Sequence, residues 1–258
     1  MLVTDECFLA IHGTLHHHAW ITPETLEVDA YSLFHTYSEM LGWIRQPTVA
    51  SGELGSWRMH EAGGDWSAST ECTDRNIFWA QVGLTATSKA FGLPVSQLLV
   101  CAEKSLSRIG TVSATGLQMI VPIRTDVTID PSSLSSLLLA SPPGTTSLII
   151  EIDGGENEHL GDFIGDVLKK LNLRFQKNRI EFYSAGTLLG SDHLLIEPGK
   201  MERDIWLGHS QRRFLLTVEF PELSLDIAST IVEHIAWALQ RSGFEGAALI
   251  TVCRSSAE

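Results

Sequence analysis

Residues 213–253, RFLLTVEFPELSLDIASTIVEHIAWALQRSGFEGAALITVC, read as one strand–helix–strand unit and decide the fold class of the chain. The first eight are rich in strand-forming residues and are closed by Pro221, which has no N–H to extend a ladder. Ser224 is placed to cap a following helix. Ile227, Ile231 and Ile235 recur every four residues, Ala228 and Val232 widen their stripe, and Gly243 supplies the stop. Residues 247–253 (AALITVC) then form a second buried strand.

The same pattern lies upstream. Residues 147–152 (SLIIEI) read as a strand, and Asp153-Gly154-Gly155 as a turn. Leu160, Phe163, Ile164, Val167, Leu168 and Leu171 fall on one helical face. Residues 179–183 (RIEFY) are the return strand. The two units spell βαββαβ, a ferredoxin-like arrangement, with roughly 28 residues inserted between the central strands.

The first half follows the same order. A strand begins at Glu6 and runs to Leu15. Thr22-Pro23 is a cap followed by proline, Ile21 and Leu26 are spaced as a hydrophobic staple, and an apolar stripe runs from Leu26 to Ile44 before Pro47. Residues 54–60 and 76–84 are the central strands. Val95, Leu98, Leu99, Ala102, Leu106 and Ile109 stripe a helix ended by Gly110, and residues 117–123 close the set. The expected fold is therefore α+β, two tandem βαββαβ modules, with the C-terminal one better marked. The modules are residues 1–129 and 147–258, joined by a Ser/Pro/Gly-rich linker at 130–146.

Composition limits function. With 44% hydrophobic residues the chain can bury a core, and its net charge of -13 argues against tracking nucleic-acid phosphates. A basic protein partner suits that charge better. Cys7, Cys101 and Cys253 sit in apolar runs and no CxxC occurs, which reads as reduced, buried thiols in a cytoplasmic protein. Neither a signal peptide nor a membrane span is expected from the N-terminus or from any apolar run.

Two groups of residues carry the chemical expectations. In His12-Gly13-Thr14-Leu15-His16-His17-His18, alternate residues of a strand share a face, so His12, His16 and His18 are candidate ligands for a divalent metal. His60, Glu61 and Cys72 could complete the shell, and His12, His60 and Glu61 are the candidate acid–base residues. His12-Gly13-Thr14-Leu15 also fits the H-x-[ST]-h pattern of two-histidine phosphoesterases, but the second copy that chemistry needs is missing. Trp57, Trp66 and Trp79 lie in or near a Gly-punctuated stretch and are candidate ligand- or partner-binding residues. His234 borders the last helical stripe and reads as structural.

The leading functional expectation is an acidic protein-binding module, an immunity-type inhibitor or assembly factor for a basic partner. The alternative is a small-molecule enzyme with a His/Trp-lined, metal-binding pocket in the N-terminal half. Edge-to-edge oligomerisation is a third expectation.

Overall fold

In the computed structural model the described residues are 5–22, 28–44, 56–66, 75–85, 92–124, 144–155, 157, 159–188 and 213–255, with positions 126, 129, 131 and 138. They form four helices over one eight-stranded antiparallel sheet. The strands are β1 (Glu6–His17), β2 (Trp57–Gly63), β3 (Arg75–Leu84), β4 (Gly110–Ile123), β5 (Thr146–Asp153), β6 (Phe182–Leu188), β7 (Arg213–Phe220) and β8 (Gly246–Arg254). The helices are α1 (Ala30–Met40), α2 (Val95–Ile109), α3 (Leu160–Phe175) and α4 (Leu225–Arg241). No helix among the described residues is long and apolar enough to cross a membrane.

The strand order is β2-β3-β1-β4-β8-β5-β7-β6, and every neighbouring pair is antiparallel. Exchanging each strand of the first half with its counterpart in the second returns the same order. The seam between the halves is β4 against β8, in unbroken register from Gly116↔Cys253 to Ile123↔Gly246. α2 and α4 lie above that seam, with α1 beyond α2 and α3 beyond α4.

Alternation builds the core. Cys7, Leu9 and Ile11 of β1, Leu117, Met119 and Val121 of β4, and Leu148, Ile150 and Ile152 of β5 face the helices in one continuous apolar cluster. On the opposite face, Phe8, Ala10, Ile120 and Leu249 form a smaller buried cluster, with Trp79 against it. α4 is buried on most of its circumference, because it is flanked by α2 and α3 as well as resting on the sheet.

The ends of the elements show where local chemistry decided. Ser224 caps α4 as expected, its side chain accepting from the Ile227 N–H, and Gly243 follows the helix at φ +88°. α1 begins later than expected: Asp29 is its cap, accepting from the Ser32 N–H at 2.6 Å, so the helix starts at Ala30. Pro23 and Leu26 lie outside the described residues, and α1 stops at Met40 rather than near Ile44. β4 begins at Gly110 instead of residue 117, directly from α2. Glycine is required there, since a Cβ would meet the His16 carbonyl oxygen at 2.2 Å. The return strand β6 starts at Phe182, three residues beyond the expected start, after a 3-10 turn and a left-handed Arg179. Most of the expected linker, 130–146, lies outside the described residues.

Candidate functional site

A row of polar side chains crosses, through the seam, the face of the sheet that carries none of the described helices (the helix-free face). Gln118 of β4 is the Cα partner of Thr251 of β8, and Thr251 is the partner of Glu151 of β5. His12 of β1 and Arg213 of β7 extend the row diagonally at either end. All five are at most 1% exposed. His12 Nε2 lies 3.0 Å from Gln118 Oε1; a carboxamide oxygen only accepts, so this ring nitrogen carries the proton. Gln118 Nε2 donates to Thr251 Oγ1 at 3.2 Å. At the far end Arg213 Nη1 donates to Glu151 Oε1 at 2.7 Å, a fully buried ion pair. Asp153, buried on the same strand, accepts the Gly155 N–H at 2.8 Å and so fixes the turn after β5.

The row depends on two irregularities around His12. Register slips by one residue on both sides: β3 has the extra Ile77 between the partners of Ile11 and His12, and β4 has the extra Thr115 between those of His12 and Gly13. Gly13 follows at φ +149°, where a Cβ would meet the Ser113 carbonyl oxygen at 2.2 Å. The slips sit on the neighbours, so β1 keeps its alternation and His12 stays on the helix-free face.

The expected metal set is not brought together. His12 is buried in the row, His16 is exposed, and β1 ends at His17. The His18 N–H donates to the Ile109 carbonyl and its ring Nε2 lies 2.9 Å from the Ser107 carbonyl, which carries His18 to the end of α2. The reason is that the strand alternation linking these residues stops one residue before His18. Trp20 stacks on the His18 ring at 4.4 Å. Among the described residues no three His, Cys, Asp or Glu side chains are grouped to hold a metal ion; Cys72 lies outside them.

The other candidates occupy separate places. His60 is the extra residue of a bulge in β2, its ring over Gly83 and 3.7 Å from Glu6 Oε1, while Gln81 Nε2 donates to Glu6 Oε2 at 2.6 Å. Glu61 is exposed beside it. Trp57 is buried in the helix-side core and stacked on Trp43 at 5.8 Å. Trp66 is also buried, donating its Nε1 to the Ile77 carbonyl at 2.8 Å. Trp79 is on the opposite face, stacked on Phe8. The three tryptophans therefore do not wall one cavity.

Sequence reasoning missed Gln118, Thr251, Glu151 and Arg213. The signal was a polar residue inside an otherwise apolar strand run, in LQMIV, LITVC and LIIEI, at positions that alternation places on one face.

Among the displaced pKa values on the helices are those of His234 on α4 and Glu103 on α2. His234 is 3% exposed, donates its Nδ1–H to the Thr230 carbonyl at 2.8 Å and packs on Phe175. Burial pushes its imidazole down to about 4, with Arg174 adding to that and the Thr230 bond opposing it. Burial, then the charge of Asp226, raises Glu103 on α2 to about 7, against the pull of Lys104. About two turns earlier on α2, Ser96 Oγ donates to Glu233 Oε1 at 2.5 Å, joining α2 to α4. The buried thiols of Cys7 and Cys101 are pushed up, mainly by desolvation, and Cys253 is buried as well. No protein-family model matches the chain, and comparisons with curated proteins and with solved structures likewise give no match.

Proposed function

We propose that the chain is an acidic, non-catalytic binding module made of two ferredoxin-like halves, residues 1–129 and 147–258, that grips a basic protein as an inhibitor or assembly factor would. The reading is carried by how the polar side chains are distributed. His12, Glu151, Arg213 and His234 are inside, bonded to other groups of the chain, while aromatic residues suited to a partner stand on the surface. Trp20, Tyr31 and Tyr183 are exposed on a chain of net charge -13. The βαββαβ order of each half, with its four strands in the same spatial order, supports the ferredoxin-like assignment.

The test is titration against a panel of folded proteins of pI above about 9. A saturable complex of fixed stoichiometry that survives about 0.15 M salt and weakens above it supports the reading. Interaction that vanishes wholly at that salt, equal for every basic protein, counts against it. The small-molecule alternative retains the solvent-accessible His60–Glu6 pair, with exposed Glu61 beside it, as its acid–base candidates. Stoichiometric metal in the purified protein would favour that alternative.

A further inference from the structure

β6 ends one side of the sheet, and among the described residues no strand lies beyond it. Its sequence, FYSAGTL, holds neither charge nor proline, and residues 183–187 are all exposed. Such an edge is a template for another strand unless something blunts it.

Among the described residues the blunting covers one residue. Asn172 near the end of α3 accepts the Phe182 N–H on Oδ1 at 2.7 Å and donates Nδ2 to the Phe182 carbonyl at 3.1 Å. The carboxamide thus does for Phe182 what a neighbouring peptide group would do. Both backbone groups of Phe182 therefore point away from β7. Alternate residues of an antiparallel strand turn their N–H and C=O the same way. Phe182, Tyr183 and Ser184 face Val218, Thr217 and Leu216 in unbroken register, so Ser184 also presents its N–H and C=O outward. A bulge at Ala185 follows.

The surroundings of the edge specify what could lie on it. On the helix-free face the exposed carboxylates Glu181 and Glu219 flank Tyr183, whose hydroxyl donates to Glu181 Oε2 at 2.5 Å. The Tyr183 phenol is held above its ordinary range by that bond first, and by the charges of Glu181 and Glu219. On the helix side Leu173, next to Asn172, is 72% exposed. An added strand would direct one set of alternate side chains to the face of Tyr183 and these carboxylates, and the other to the face of Leu173.

We propose that β6 receives an extended segment of the partner protein as a ninth strand, pairing from Ser184 onward, with alternating basic and apolar side chains. This rests on the binding-module reading and locates its docking edge. The probe is a short labelled peptide of alternating lysine and valine, with a glutamate–valine peptide as its counterpart. The lysine peptide is expected to bind saturably and several-fold more weakly at high salt, and the glutamate peptide not to bind. In the wild-type protein, amide exchange at Ser184 should slow by more than about tenfold on binding. Ser184→Pro removes an outward N–H and leaves the bonds to β7 in place, so it should abolish binding. Equal binding by Ser184→Pro, or unchanged exchange at Ser184 in the bound wild type, overturns the docking edge while leaving the acidic-surface reading intact. Failure of the lysine peptide to bind a wild-type protein that does complex basic proteins also overturns the edge alone. Failure of both peptide and proteins overturns the two together.

Discussion

Removing the negative end of the buried Glu151–Arg213 pair, by Glu151→Gln, should be among the most damaging single changes in the protein. Both side chains are 1% exposed and their closest atoms are 2.7 Å apart. The substitution breaks a buried ion pair by removing one of its charges, which costs about 3–5 kcal/mol, against about 0–1 kcal/mol for an exposed pair. Whole-protein stability is on the order of 5–15 kcal/mol, so the loss is a large fraction of the total. With a urea slope of about 3 kcal/mol per molar for a chain of this size, the midpoint should fall by about 1–1.7 M. Tryptophan fluorescence suits the measurement, because Trp57 is buried and stacked on Trp43 in the other half of the sheet. Coincidence of that signal with circular dichroism would show that damage in β5 unfolds the N-terminal strands as well. The double variant Glu151→Leu/Arg213→Met should recover most of the loss, since a matched apolar pair avoids the cost of desolvating charge. A midpoint shift below about 0.3 M for Glu151→Gln would refute the reasoning, because that is how a hydrated surface pair behaves.

His234 and Glu103 should give opposing pH slopes. With His234 at about 4 in the fold and 6.5 ordinarily, its contribution is fully present above pH 6.5 and is lost as pH falls toward 4, by up to about 3 kcal/mol. His234→Phe should flatten that slope in urea titrations, and an unchanged slope would sink the assignment. Glu103, ordinarily 4.5 and about 7 in the fold, works the other way: its contribution is present below pH 4.5 and is lost as pH rises toward 7. Because water reaches part of this side chain, Glu103→Gln should gain only about 1 kcal/mol above pH 7 and nothing near pH 4.5, read by the same titrations. Gly13→Ala should cost more than about 2 kcal/mol, since the clash is with the Ser113 backbone rather than a movable side chain; a melting temperature within a degree or so of wild type would contradict it. Asp29→Ala should lose about 1 kcal/mol with the cap of α1, seen as a smaller drop in urea midpoint than Glu151→Gln gives.

The second half was legible because its elements announce their own ends. Arg213–Phe220 is bounded as its sequence suggests, and Ser224 caps the helix it precedes. In the first half two local cues misled. Thr22-Pro23 looks like a helix start, but the described helix is capped by Asp29, whose carboxylate reaches the Ser32 N–H. The first seven residues of β4, GTVSATG, are small and polar and do not look like a strand; pairing with β1 holds them there. The candidate site was less legible still. Spacing along one strand predicts which residues share a face, but not which strand lies alongside. His12 could be singled out, yet its partner Gln118 lies 106 positions away. The tryptophans show the same gap: Trp57 falls in the expected 54–60 strand, but only the assembled sheet shows that it lies on an edge strand facing the helices, with Trp66 just after that strand.

The β4–β8 seam has a consequence for the order of events during synthesis. The strand that completes the first four-stranded half on its open side ends at Ile123, and its neighbour across the seam ends at Arg254, 131 residues later. At about 5–20 residues per second, the ribosome leaves β4 without that neighbour for roughly 7–26 s. During that interval Leu117, Met119 and Val121 line the border of an unfinished sheet. The two halves share one strand order, so β8 of another nascent chain has the shape to fill the gap. Crowded polysomes should therefore favour exchanged dimers, and slowing initiation should favour the monomer.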